Sequence, residues 1–542
     1  MRSEIIKRIY WSKKRICVWP WRSNHSASSI EFPPNKPSDH ELLVRSLEEY
    51  KMSRNSTAVI GTHARIIKLG YEASLSLTSL LVTAYMSFNH SFARQLLHDV
   101  PYWNFNVVSF NLIIASFLKM GDIDFAKRMF RKMSKRDLIS WNTMIGGFVR
   151  NARFQEAFVF FRKMLSSNVE PDKFTFSSII TACARVGALD LAKWIHSLLT
   201  ERRVELNFIL SSALIDMYSK CGRIETAKAI FRSVRHNDVS VWNSMINGLA
   251  MHGLAMDAVA TFSEMEADNI LPDSITFVGL LTACSHCGLT QQGREYFDLM
   301  SRKYLIKPQL EHYGSMVDLF GRAGLLEEAY DIIKGMPIDP DVVIWRAFLS
   351  ACRTHRNPEL GEVAVSKLSH LDSGDYVLLS NTYCSVSKWD AAENVRHMMR
   401  KKGVSKSRGR SWIEFGRVIH QFKAGDRTHS ETELIYMVLE ALIGRIKEEG
   451  FVPVTDLVLM DISEEEKEGN LTYHSEKLAL AFGILKSSPG SEIQVSKNLR
   501  TCLDCHSWMK LVSKVLKRVI IVRDRIRFHR FEDGLCTCGD YW

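Results

Sequence analysis

Leu138-Ile139-Ser140-Trp141-Asn142 returns 101 residues later as Val239-Ser240-Val241-Trp242-Asn243. Both stretches lead to a turn ending Pro-Asp, at Pro171-Asp172 and Pro272-Asp273. Inside the interval, Ile179-Ile180-Thr181-Ala182-Cys183 answers Leu280-Leu281-Thr282-Ala283-Cys284 at the same spacing, and Ala213-Leu214-Ile215-Asp216-Met217-Tyr218 answers Ser315-Met316-Val317-Asp318-Leu319-Phe320 at 102. The 101-residue interval divides into units of 35, 35 and 31 residues. A period in the thirties predicts stacked helix pairs, in which no unit buries its apolar face alone.

In residues 138–172 the apolar spacing predicts a first helix carrying Trp141, Met144, Ile145 and Phe148. A second carries Ala157, Phe158, Phe160, Phe161 and Met164. Composition agrees, because Gly and Pro make up only about 8% of the 542 residues, where roughly 12% is usual. No apolar run reaches the ~18 residues of a bilayer-spanning helix, which argues against an integral membrane protein. The formal net charge of +11 suits a polyanionic partner. Of the eleven cysteines, seven are scattered and four (Cys502, Cys505, Cys536, Cys538) crowd the C-terminal end in two pairs, which suggests metal rather than disulfides. Cys284-x-x-Cys287 has metal-like spacing too, but Cys284 aligns with Cys183 and Cys352, and Cys287 with Val186 and Cys221, so both read as repeat core.

The repeats resemble the pentatricopeptide repeat family of plant organelles, in the subclass that alternates long, standard and short repeats. The carriers are Trp141-Asn142-Thr143-Met144-Ile145, Leu214-Ile215-Asp216-Met217-Tyr218-Ser219-Lys220-Cys221-Gly222 and Trp242-Asn243-Ser244-Met245-Ile246. The units run 74–106 (degenerate), 107–137, 138–172, 173–207, 208–238, 239–273, 274–309 and 310–341. Thus 41–341 is the array, and 342–375 and 376–409 are two weaker extension motifs. Such a solenoid reads single-stranded RNA one base per repeat. The resemblance implies that the fifth and last residues of a unit do the reading: Asn111/Asp137, Asn142/Asp172 and Asn243/Asp273 for uracil, Ser212/Asp238 for guanine. Each Asp equally suits a helix cap. Gly314/Asp341 departs from the pattern, and Thr78 with Asn104 or Asn106 has an unclear register.

Residues 1–30 hold seven Lys/Arg against Glu4, with serines at Ser23, Ser26, Ser28 and Ser29, before a linker at Pro33-Pro34 and Pro37. This reads as an organelle transit peptide and linker over 1–40, mitochondrial with chloroplast as the alternative. A basic arm that binds RNA has the same composition.

From Arg410 to Trp542 the repeats stop. His474-Ser475-Glu476 opens the buried helical run Leu478–Leu485, Ile493-Gln494-Val495 reads as a strand, Cys502-Leu503-Asp504-Cys505 opens a helix ending near Leu516, and Val519–Val522 is a second strand. That order suits an α/β sandwich behind the helical solenoid. A catalytic zinc takes three protein ligands and keeps one position for water. His474, Cys502 and Cys505 supply three, with Glu476 placed to move protons, which matches the His-x-Glu … Cys-x-x-Cys arrangement of zinc nucleobase deaminases. Thr501 stands where Pro is usual. A structural zinc or redox pair remains the other reading of these residues. His506, His529, Cys536 and Cys538 make a closed set for a second, structural zinc.

Gly539-Asp540-Tyr541-Trp542, with Ser411-Trp412-Ile413-Glu414, Gly450-Phe451-Val452-Pro453, the acidic run 464–468, His474-Ser475-Glu476-Lys477-Leu478-Ala479 and Val522-Arg523-Asp524, resembles the DYW cytidine deaminase domain of plant RNA-editing factors. Arg408-Gly409 replaces its opening Pro-Gly, and Thr428-His429-Ser430 replaces a Ser-His-Pro. Nine Lys/Arg between 500 and 530, against Asp504 and Asp524, suit RNA phosphates. The expectation is a site-specific C-to-U editing enzyme of organellar RNA, with helper editing factors as further partners and neither DNA binding nor membrane insertion. The rivals are a factor that recruits a separate deaminase or acts in RNA processing, and a ribonuclease on the same zinc.

Overall fold

A computed structural model describes residues 38–541 apart from 54, 72–73, 87, 89, 100–105, 235–237, 406–408, 417, 456–467 and 470. Residues 1–37 of the expected address over 1–40, Asn104, Arg408, most of the acidic run and Trp542 lie outside the described residues. Residues up to Pro101 form one compact unit and those from Tyr102 onward a second. In the first, the helices Asp39–Ser53, Ser56–Lys68, Leu75–Met86 and His90–Asp99 bury Leu43, Leu47, Val59, Ile66, Leu81 and Leu97. Among the described residues no helix is long and apolar enough to cross a membrane.

The second unit begins as a stack of helix pairs, from Val107–Lys119 with Ile123–Lys132 to Ser373–Ser385 with Trp389–Lys401. Capping residues set where the pairs start. Asp137, Asp172 and Asp273 each accept the backbone N–H three residues on, and Ser140, Thr175 and Thr276 return a hydroxyl to the cap. Each box satisfies backbone donors that a helix start leaves open, and a cap of this kind is worth ~1 kcal/mol. The first helix of each repeat then packs on the first helix of the next. Trp141, Met144, Ile145, Phe148, Ala157, Phe158, Phe161 and Met164 are buried as expected. Phe160 is half-buried instead, wedged edge-on against Phe148 at 4.7 Å between ring centres. Cys183, Cys221, Cys284 and Cys352 are buried, and the Cys287 thiol donates to the Gly253 carbonyl, as repeat-core residues should.

Strands begin at Arg410. A six-stranded sheet runs in the order β2 (Val418–Lys423), β1 (Arg410–Phe415), β3 (Ile493–Lys497), β4 (Ile520–Arg523), β5 (Phe528–Glu532), β6 (Leu535–Cys536). Among the described residues only β3 and β4 pair in parallel, joined by the helix Leu503–Leu516, as a parallel pair requires. The helices Thr432–Glu448, Ser475–Lys486 and Leu503–Leu516 share one core with the sheet, built on Leu439, Leu478, Phe482, Val495, Trp508 and Val522.

This C-terminal domain docks on the array. Arg523 Nη1 donates to the carbonyls of Ala184 (3.2 Å) and Lys220 (3.0 Å), and Arg527 Nη1 donates to His286 O (3.1 Å). All three carbonyls lie in the last turn of a repeat's first helix, where unpaired C=O groups and the helix dipole favour a cation. Arg223 pairs with Glu492 at 2.7 Å, and the His252 ring stacks on Phe528 at 4.5 Å. Gly222 makes the approach possible: at φ +77° it turns the chain after the helix, and an added Cβ would meet Phe528 at 3.2 Å.

Burial pushes the His252 pKa down to about 4, against 6.5 for the ordinary group, although its Nε2–H donates to Ser219 O. The unfolded chain therefore takes up this proton first as pH falls. Stability from neutral His252 is fully present above pH 6.5 and is lost between 6.5 and 4, on the order of 3 kcal/mol in all. We expect thermal unfolding of the full chain to show this acid-side loss, with a flatter pH profile in His252→Gln. Equal slopes for the two proteins would contradict the assignment.

Candidate metal centres and reading positions

The positions expected to read bases lie near the N-terminal ends of the first helices. Asn111 Nδ2 donates to Asp137 Oδ1 at 3.3 Å, Asn142 to Asp172 at 3.0 Å and Asn243 to Asp273 at 2.9 Å. The aspartate that caps a helix thus also orients the amide of the preceding repeat, so capping and orientation coexist. Burial works against the Asp172 charge, but Thr175 and Asn142 hydrogen bonds hold its pKa below the usual carboxylate range. Thr175 and Thr276 donate to the amide oxygens of Asn142 and Asn243, whereas Asn111 Oδ1 is buried with no partner. Ser212 and Asp238 are not brought together. The shorter Ser212 side chain turns its hydroxyl to Ile209 O at 3.1 Å, while Asp238 accepts Ser240 N–H at 2.8 Å. Thr78 bonds Ser74 O, and Asn106 and Asp341 cap their own helices.

At the other end of the chain two helix N-termini meet. His474 is the N-cap of Ser475–Lys486 and Cys502 that of Leu503–Leu516, its sulfur accepting Cys505 N–H at 3.4 Å. The turn geometry puts Glu476 and Cys505 beside the two caps, and the ligand atoms of His474, Glu476, Cys502 and Cys505 all lie within 4.8 Å of one another. His474 Nδ1 stands 3.3 Å from Cys505 Sγ and 3.5 Å from Cys502 Sγ. Tetrahedral zinc with its usual bond lengths separates nitrogen from sulfur by about 3.6 Å, so the donor set fits that ion. The Cys505 and His474 hydrogen bonds hold the Cys502 thiol well below its ordinary pKa despite burial, and a helix N-terminus favours the resulting thiolate. Burial raises the Cys505 thiol, and the neighbouring Cys502 raises it further. Such a pair gives up both protons only to a metal.

Glu476 is 1% exposed. Burial alone would raise its pKa, but Lys497 on β3 and His474 overcome that and bring the carboxyl down to about 2. Lys497 Nζ holds Oε1 in a buried ion pair, and Ser475, itself hydrogen-bonded to Ser411, reaches Oε2 at 3.3 Å. Nothing in the motif points to Lys497, since it comes from a different strand.

His506, His529, Cys536 and Cys538 form the second group, again within 4.8 Å. His506 Nε2 faces Cys538 Sγ at 3.2 Å and His529 Nδ1 faces Cys536 Sγ at 3.7 Å, which suits a closed tetrahedral shell. The opposite ring nitrogens face carboxylates, His506 Nδ1 toward Asp540 at 3.7 Å and His529 Nε2 toward Asp524 at 3.5 Å. Carboxylates behind histidines fix the ring and raise its basicity. Asp524 also accepts N–H groups of Ile526 and Arg527, binding the β4–β5 turn to the group. The stretch Val522-Arg523-Asp524 marks the position, and only the fold shows what Asp524 does there. Cys284 and Cys287 belong to neither group.

Comparison with known proteins agrees with this architecture. The family model described as the DYW family of nucleic acid deaminases matches residues 450–542, the E motif matches 355–414, and PPR repeat models match 136–185 and 237–286, with others at 108–138, 174–204, 210–239 and 311–338. Pentatricopeptide repeat-containing protein At5g50990 of Arabidopsis thaliana is 56% identical over 98% of both chains. The chloroplastic At1g08070 of the same plant is 45% identical over 81% of this chain and 60% of its own length. A crystal structure of the repeat protein PPR10 in complex with an 18-nt psaJ RNA element covers 69% of this chain and 65% of its own, at 19% identity and a TM-score of 0.48. Helix pairs in a thirty-odd-residue register, followed by an α/β domain with these His/Cys groups, fit the repeat and deaminase models that match. The chain belongs to the pentatricopeptide repeat family, in the group whose repeats are followed by an E motif and a DYW deaminase domain.

Proposed function

We propose that this chain binds single-stranded organellar RNA through its repeats and converts one cytidine to uridine with its C-terminal domain. The observation that carries the reading is the convergence of His474, Cys502 and Cys505 at two helix N-termini with Glu476 beside them. Two zinc ions per chain fit, one at this open set and one at His506, His529, Cys536 and Cys538. Zinc held at the open set would supply a water that loses its proton near neutral pH. His474, Cys502 and Cys505 would hold that position. The Glu476 carboxylate would take a proton from the attacking water, whose oxygen bonds to C4 of cytosine, and deliver it to N4 as the C4–N4 bond breaks and ammonia leaves. Asn111, Asn142 and Asn243, each oriented by its aspartate, present an amide to one base apiece and favour uracil.

One observation favours a second reading, a specificity factor that recruits a separate deaminase. Lys497 pins Glu476 as a weak base, so turnover requires that ion pair to loosen. Glu476→Ala separates the two. We expect it to keep both metals and its RNA affinity while C-to-U conversion falls at least ~100-fold, the contribution of a lost proton shuttle. Editing that persists in a plant whose only copy is Glu476→Ala would make this chain a recruiter.

We also propose that the first ~40 residues direct the chain to mitochondria, with the chloroplast as alternative, because basic residues dominate there. Fused to a fluorescent protein, they should carry it into an organelle; a cytosolic or nuclear signal would overturn the proposal.

A further inference from the structure

The two His/Cys groups do not stand apart. Cys505 and His506 are consecutive residues of the helix Leu503–Leu516, yet the first belongs to the open set and the second to the closed one. A buried carboxylate adds a second tie. Asp524 directly follows β4, and its Oδ2 accepts the Thr501 N–H at 3.3 Å while facing His529 Nε2 at 3.5 Å. Its Oδ1 accepts the Ile526 and Arg527 N–H groups at 2.7 and 2.9 Å, which anchors the carboxylate in the β4–β5 turn. Thr501 immediately precedes Cys502, the N-cap of the same helix. One oxygen of Asp524 therefore meets both a ligand of the closed set and the backbone that leads into the open set.

The Thr501 bond depends on a departure already visible in the sequence. Zinc nucleobase deaminases commonly carry Pro before the first cysteine, and proline has no N–H to give. Thr501 stands there instead, and its backbone N–H is the one that Asp524 accepts. A shift at residue 501 would reach both sulfurs of the open set, because Cys502 Sγ in turn accepts the Cys505 N–H. His474 begins a different helix and would not follow. Metal–ligand distances tolerate only about ±0.2 Å, so the two cysteines and the histidine must be held in register.

We propose that Asp524 is a positioning residue that couples the two groups through its bond to Thr501, so that a zinc ion at His506, His529, Cys536 and Cys538 raises the zinc affinity of His474, Cys502 and Cys505. The inference rests on the reading of both groups as zinc sites. A metal-bound His529 has a fixed ring, a fixed ring holds Asp524, and Asp524 holds the approach to Cys502. Coupling of this kind is reciprocal, so an ion at the open set tightens the closed set by the same factor. The closed group then does more than fasten the tail: it sets the geometry of the centre proposed to act on cytidine.

The test uses the full chain, stripped of metal and titrated with Zn2+ against a chromophoric chelator. Thr501→Pro deletes the N–H and leaves every ligand and Asp524 in place, whereas Thr501→Val keeps the N–H. Cys536→Ser with Cys538→Ser disables the closed set. Disabling it should weaken zinc at the open set about tenfold, the size of effect that loss of an outer partner has on a metal site. In Thr501→Pro the first ion should bind as in the wild type and the second about tenfold more weakly, and Thr501→Val should match the wild type. With Thr501→Pro already present, disabling the closed set should change the open set by less than about twofold. An equal loss in both backgrounds would route the coupling along the helix through Cys505 and His506 instead of Asp524. No loss in either would make the groups independent, and either result overturns the proposal. A wild-type chain that takes up fewer than two zinc ions would overturn the two-zinc reading and this inference with it, whereas two ions bound without coupling would overturn the inference alone.

Discussion

Everything distinctive about this chain depends on how the C-terminal domain is fastened to the repeats. Arg523 and Arg527 reach the carbonyls of Ala184, Lys220 and His286, groups that three first helices cannot satisfy internally. A helical array thus offers a row of acceptors at one end of its first helices, while its capped starts offer the Asn–Asp row about two helical turns away. The domain occupies the first row and leaves the second to whatever the array reads. Under the proposed function, that division sets a fixed offset between the bases read and the base altered.

The open His/Cys set has the same logic on a smaller scale. Two helices begin against each other, so thiolate and imidazole sit where backbone N–H groups and helix dipoles favour negative charge. The buried Glu476 would be neutral in such a place without Lys497 and His474. Lys497 therefore keeps the carboxylate charged and at the same time restrains it.

Much of this is legible in the sequence. The 101-residue recurrence implies the helix pairs, because a stacked repeat must present the same apolar faces each time. His-x-Glu with Cys-x-x-Cys implies the open set, because ligand spacing on helix starts is local. Phe160 has the spacing of full core, yet its ring sits at the margin of an aromatic cluster, and periodicity does not distinguish margin from centre. Ser212 and Asp238 fit the register but not the geometry, since a hydroxyl one bond from Cβ finds its own helix carbonyl first. Strands β1, β2, β5 and β6 are too short or too mixed in polarity to declare themselves. Lys497 and Asp524 are invisible as partners of the ligands, since strand pairing, not sequence proximity, brings them there.

The central claim is that one chain both chooses and alters its RNA. Purified full-length protein, loaded with zinc and given organellar RNA from a plant lacking this protein, is read by sequencing every cytidine before and after incubation. The account predicts conversion to uridine at one or a few sites, each at the same distance from a uracil-rich match to the reading row, with the strand intact. RNA that is bound and returned unaltered, or cut, would contradict it.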